Sequence, residues 1–136
     1  MPNEIELSGF NEMLARLESM GNQIAGPVED AALKAGAAPL ADAMRSNVHY
    51  APLYGKRRGE KHIRDDIRIS SVKIDKETLM KFVAVGPGKS TNWRAKFLEY
   101  GTSQSPAYPF VYPAVVETKA EVFGAMAAVI REALLE

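Results

Sequence analysis

Apolar residues recur at three- and four-residue spacing at both ends of the chain and at a spacing of two in its middle. Phe10, Met13, Leu14, Leu17 and Ile24, with Glu12, Arg16 and Glu18 between them, predict an N-terminal helix capped by Ser8. Gly21, Gly26 and Pro27 end or bend it. A second helix is predicted from about Pro27 to Asn47, rich in alanine, with Glu29 and Asp30 at its positive end and a kink at Pro39. Leu33, Leu40, Met44 and Val48 are its candidate buried face. Its alanines allow a close neighbour, either the sheet of the same chain or another subunit.

The period then changes. Ile67 and Ile69 share one face, while Val72 and Ile74 are shifted by one residue, which a bulge near Ser70–Ser71 would explain. TLMKFVAVG reads as a second strand, joined through Asp75, Lys76 and Glu77 as an antiparallel hairpin and closed by Gly86-Pro87-Gly88. Trp93, Phe97, Leu98 and Tyr100 form an apolar set that suits a short helical turn or a third strand. Pro113 suits the first turn of a C-terminal helix. Val116, Val122 or Phe123, Met126, Ile130 and Leu134 lie on one face of that helix. The order predicts an α+β fold: a small antiparallel sheet packed by an N-terminal helix, an alanine-rich kinked helix and a long C-terminal helix.

At 136 residues the expectation is a single domain over residues 1–136, with a long loop over about 49–66. Seventeen basic and seventeen acidic residues cancel, which removes any global electrostatic case for nucleic acid or an anionic membrane. No apolar run reaches the roughly 20 residues of a membrane span, and the first residues do not read as a signal peptide. There is no cysteine, so disulfides, thiolate metal sites and a cysteine nucleophile are excluded.

Little else points to catalysis. His49 and His62 lack ligand spacing for a metal, and no nucleophile elbow or triad signature is present. Gly86-Pro87-Gly88-Lys89-Ser90 lacks the spacing of a phosphate loop, and Pro87 removes a donor such a loop needs. No catalytic, metal or cofactor residue is assigned, and the chain is read as non-enzymatic. Lys56, Arg57, Arg58, Lys61 and Arg64 form a local basic run facing a partner, DNA or solvent. It has no interleaved aromatic ring, so any DNA contact would be electrostatic and non-specific.

The densest stretch is Phe97 to Ala114, FLEYGTSQSPAYPFVYPA, with three prolines, three tyrosines and two phenylalanines. Gly101 suits a positive φ, and the prolines stiffen the segment. Tyrosines of this kind are enriched at interfaces. Phe97 and Phe110 are expected in the core, with Tyr108 and Tyr112 as the better interface candidates.

Glu99-Tyr100-Gly101-Thr102, then Pro109-Phe110 and Pro113-Ala114 before a long helix, resembles the signature of the small head–tail joining or tail-completion proteins of long-tailed bacteriophages. Gly9-Phe10, the alanine-rich helix, Asn47 and Ala51-Pro52 extend the likeness over most of the chain. Where such proteins read T-G-x-L, this chain has Tyr54 to Ile63 without the threonine. The resemblance implies a non-enzymatic structural protein of the virion, assembled in the host bacterial cytoplasm. It would stand at the head–tail junction as a ring of subunits, a hexamer matching the tail. It would touch connector or stopper, tail-terminator and tail-tube proteins. Glu99, Tyr100, Gly101, Thr102, Tyr108, Pro109, Phe110, Tyr112 and Pro113 are the candidate interface, with the alanine-rich helix as the opposing patch. A tail-terminator role and a small DNA-binding accessory protein using the basic run are the alternatives.

Overall fold

Residues 4–48, 62–104 and 106–135 are described by a computed structural model of the chain. The order of elements is α1 (Glu4–Glu18), α2 (Asn22–Asn47), a 3-10 turn (Arg64–Asp66), β1 (Ile67–Ile69), β2 (Lys73–Ile74), β3 (Lys81–Phe82), β4 (Val85–Pro87), α3 (Asn92–Tyr100) and α4 (Val111–Leu135). The fold is mostly helical α+β. Two compact units divide it. One comprises Met1–Pro39, Ser71–Val83 and Thr118–Glu136, the other Leu40–Ser70 and Ala84–Glu117.

In the first unit α1 begins at Glu4, so Ser8 lies inside it rather than capping it. The helix stops because Gly21 takes φ +91°, a conformation that costs a residue with a side chain. The next helix starts at once. The Ala25 amide donates to the Gly21 carbonyl at 2.9 Å, and α2 opens at Asn22, ahead of the expected Pro27. Ile24 therefore belongs to α2, where it is exposed. Gly26 permits helical backbone before Pro27 because it has no Cβ to meet the proline ring. Pro27 and Pro39 each remove one ladder donor, opposite the carbonyls of Gln23 and Ala35.

The core of this unit joins Phe10, Leu17, Ala25, Ala32 and Ile130, with Met13, Leu14, Phe123, Met126 and Leu134 around them. Phe10 and Phe123 meet edge to face with ring centroids 5.4 Å apart. A Cβ added at Gly36 would lie 2.7 Å from Met126 Cγ, so α2 and α4 approach too closely for a larger residue. At Gly36, α2 thus packs directly on α4.

Lys73 pairs with Phe82 and Ile74 with Lys81 across β2 and β3. Lys81 anchors this hairpin to α2, reaching Asp30 at 2.9 Å, Glu29 at 3.5 Å and the Gly26 carbonyl at 3.3 Å. The hydrogen bond to Asp30, against a smaller opposing effect of burial, raises the Lys81 pKa above its ordinary value. In the turn, the Leu79 amide donates to the Asp75 carbonyl at 2.8 Å and the Glu77 amide to Asp75 Oδ1 at 2.9 Å. Leu79 itself sits at φ +59°.

The second unit is built around Ala41, Met44, Val48, Ile63, Ile67, Ala95, Phe110 and Ala114. β1 and β4 are antiparallel, with Ile67 opposite Pro87 and Ile69 opposite Val85. The two ladders differ in phase by one residue, so Ser70–Val72 on the first arm answer only Val83–Ala84 on the second. The expected sheet is thus two short ladders, each of two strands. Gly86 and Pro87 lie within β4 rather than closing it. The segment from Asn92 is a helix, not a third strand.

Candidate functional site

Asp66, at the end of the long loop expected over about 49–66, is buried. Its carboxylate accepts hydrogen bonds from Arg68 Nε at 2.8 Å, Ser90 Oγ at 3.1 Å and Thr91 Oγ1 at 2.8 Å. Its carbonyl accepts the Gly88 amide at 3.0 Å. Burial pushes the carboxyl up, but the bonds from Thr91, Arg68 and Ser90, with the Arg68 charge, outweigh it and hold the pKa below the ordinary carboxylate value. A Cβ on Gly88 would stand 2.8 Å from Asp66 Oδ2, so this turn needs glycine. The Gly-Pro-Gly-Lys-Ser turn therefore holds an acid of its own chain, with negative charge at the start of α3.

Glu99 plays the matching part for α4. That helix has no acidic residue in its first turn. Glu99 Oε1 accepts the amides of Phe110 at 3.0 Å and Val111 at 2.9 Å, and Oε2 accepts Tyr112 at 3.1 Å. Three of the orphan donors at this helix end are satisfied from the last turn of α3. Between them, Gly101 takes φ +76° and donates to the Phe97 carbonyl at 2.8 Å. The Tyr108 amide donates to Leu98 at 2.7 Å, and Gln104 to Thr102 Oγ1 at 3.2 Å. Pro113 falls in the first turn, where its missing N–H costs nothing.

Rigid backbone thus sorts the candidate residues. Glu99, Gly101, Thr102 and Pro113 shape the turn, and Phe110 is fully buried. Tyr108 is exposed, as are Tyr100 at 81% and Tyr112 at 70%. Tyr100, Pro109 and Tyr112, with Lys96 and Val115, edge an open groove of about 680 Å³ floored by Ala95 and Phe110. Phe97 corrects the expectation of a core position, being 53% exposed. Trp93, not anticipated as a surface residue, is 55% exposed and meets Phe97 edge to face at 6.0 Å. A helical reading of the segment would have found this pair, because positions 93, 97 and 100 fall on one side of a helix and Ala95 and Leu98 on the other.

Arg64 lies in the 3-10 turn, half-buried, while Lys56, Arg57, Arg58, Lys61 and His49 lie outside the described residues. Among the described residues, no group of three or more histidine or acidic side chains is placed to hold a metal. No helix among them is long and apolar enough to cross a membrane. The arrangement offers contact area on a stiff frame.

No curated protein and no solved structure matches the chain. A family profile described as "Bacteriophage HK97-gp10, putative tail-component" matches residues 11–101. That span runs from α1 to the Gly101 turn and stops short of Pro109-Phe110, so the match rests on much more than the tyrosine- and proline-rich stretch. With two thirds of its length inside the profile, the chain belongs to the HK97-gp10-like family of bacteriophage tail components.

Proposed function

We propose that this chain is a non-enzymatic structural protein of the head–tail junction, which completes the tail or joins it to the head as a ring of subunits. A hexamer would match the symmetry of a tail. Its neighbours would be connector or stopper, tail-terminator and tail-tube proteins. The observation that carries this reading is the aromatic face of Tyr100, Tyr108 and Tyr112, held on a turn that Glu99 locks from within. Fixed aromatic rings bind with little loss of conformational entropy, which suits a joining surface. Membership in a tail-component family supplies the setting.

The alanine-rich helix fits the opposing patch less well. Ala25, Ala32, Ala37 and Ala41 are buried inside the chain. Replacing Tyr100, Tyr108 and Tyr112 together by serine tests the reading without removing Phe110 from the core. Heads and tails should then accumulate unjoined, while the purified variant keeps wild-type helicity by circular dichroism. Normal yields of infectious particles from the triple variant would sink the proposal.

A further inference from the structure

The groove between α3 and the start of α4 lies wholly within the second unit. Asn92, Lys96 and Tyr100 line it from α3, at positions i, i+4 and i+8 of that helix. Tyr112 and Val115 line it from α4, together with Pro109. From Asn92 to Tyr100 the α3 side runs about 12 Å, at about 1.5 Å per residue. A polyproline II strand advances about 3.1 Å per residue, so this side is as long as about four of its residues.

The polar side chains of this groove are weighted toward donors. Lys96 brings N–H donors and no acceptor, while Asn92 and the two tyrosine hydroxyls can donate as well as accept. Glu99 is the only acid among the lining side chains. Both its oxygens are taken up by the amides of Phe110, Val111 and Tyr112. A sugar, with many O–H groups to place, would find no open carboxylate here. A helix would keep its carbonyls in its own ladder and leave these donors unused. A run of prolines has the opposite inventory. It lacks N–H groups, its carbonyls carry no internal hydrogen bonds, and its rings are apolar.

We infer that this groove docks an extended, proline-rich segment of a neighbouring tail protein, its rings against Tyr100 and Tyr112 and its carbonyls toward Asn92 and Lys96. Aromatic-lined grooves take such strands because the ligand is already ordered before it binds. The inference rests on the joining role proposed above and gives that surface its ligand.

The probe is a hexaproline peptide blocked at both ends, titrated into the isotope-labelled full chain and followed by NMR. Saturable shifts should appear at Lys96, Tyr100, Tyr112 and Val115 below about 1 mM peptide. The indole of Trp93, which does not line the groove, should stay in place. A blocked Gly-Ser peptide of the same length should give no saturation. Asn92, Lys96 and Tyr112 are all exposed, so each can be changed without opening the core. Lys96→Met and Asn92→Leu keep apolar bulk but remove donors. Each should weaken binding about threefold to tenfold, the worth of one hydrogen bond. Tyr112→Ala should weaken it about tenfold. No saturation by about 10 mM, or equal binding by the Gly-Ser peptide or by both donor-free variants, would overturn the inference. The particle assay above would still decide the tail role. The chain has an exposed Pro106-Ala107-Tyr108-Pro109 of its own. Shifts at the same residues that appear on concentrating the chain alone, and vanish in Pro106→Ala, would overturn the assignment to another protein and give the groove to a second copy.

Discussion

Asp66 and Glu99 are both carboxylates that serve their own chain, and Asp66 does so in the protein interior. Its lowered pKa carries a sign. A folded value below the unfolded one, about 3.9 for aspartate, stabilises the fold above that pH and is lost as pH falls through the folded value. Asp66→Asn should cost about 1.5–3 kcal/mol near neutrality, in the range of hydrogen bonds to a charged group. In urea titrations at several pH values, its deficit against the native chain should shrink below about pH 4. A deficit that stays constant down to pH 2.5 would show that the charge is irrelevant. Leu79 is the opposite kind of residue, a side chain at φ +59° with 75% of its surface in water. Leu79→Gly should raise stability by about 1 kcal/mol by releasing that backbone strain, read as a higher denaturation midpoint. No gain would mean that the leucine side chain offsets the strain through contacts of its own. None of this was visible in the sequence, because Asp66 meets Ser90 and Thr91 across more than twenty residues of chain.

At the scale of elements, the helices were legible and their buried faces only in part. Phe10, Met13, Leu14 and Leu17 in α1, and Phe123, Met126, Ile130 and Leu134 in α4, face the core as their spacing predicts. Val116 does not; it is exposed, and Ala114 and Thr118 are buried in its place. The same happens in α2, where Ala25, Ala32, Ala37 and Ala41 are buried and Leu33 and Leu40 only half so. Where helices approach this closely, small size selects the contact residue, and a reading by hydrophobicity looks past it. The candidate site divides likewise. Tyr108 and Tyr112, the interface candidates, are exposed and Phe110 is buried as expected, while Phe97 and Trp93 needed the helical period of α3. Glu99 was read as an interface residue, and its bonds to α4 lie eleven to thirteen residues ahead. Glu99→Ala removes both acceptor oxygens, and with them all three bonds, at once. It should cost about 2 kcal/mol, the upper range for an N-terminal cap, measured as a fall in urea midpoint with an unchanged slope. Hydrogen exchange should quicken first at Phe110, Val111 and Tyr112. Unchanged exchange there would mean that water or another side chain replaces the carboxylate.

For the whole molecule, the two compact units are interleaved along the chain. The first is assembled from three segments and the second from two, with α2 and α4 each running through both. This division has a consequence in time. During synthesis the last residue of the second unit, Glu117, is added before any residue of the third segment of the first unit. That segment supplies Phe123, Met126, Ile130 and Leu134, which the core around Phe10 and Leu17 requires. Phe10 thus has no Phe123 ring to pack against until that segment has been made. A nascent chain stalled after Glu117 already has every residue of its aromatic face and none of the C-terminal half of its other core.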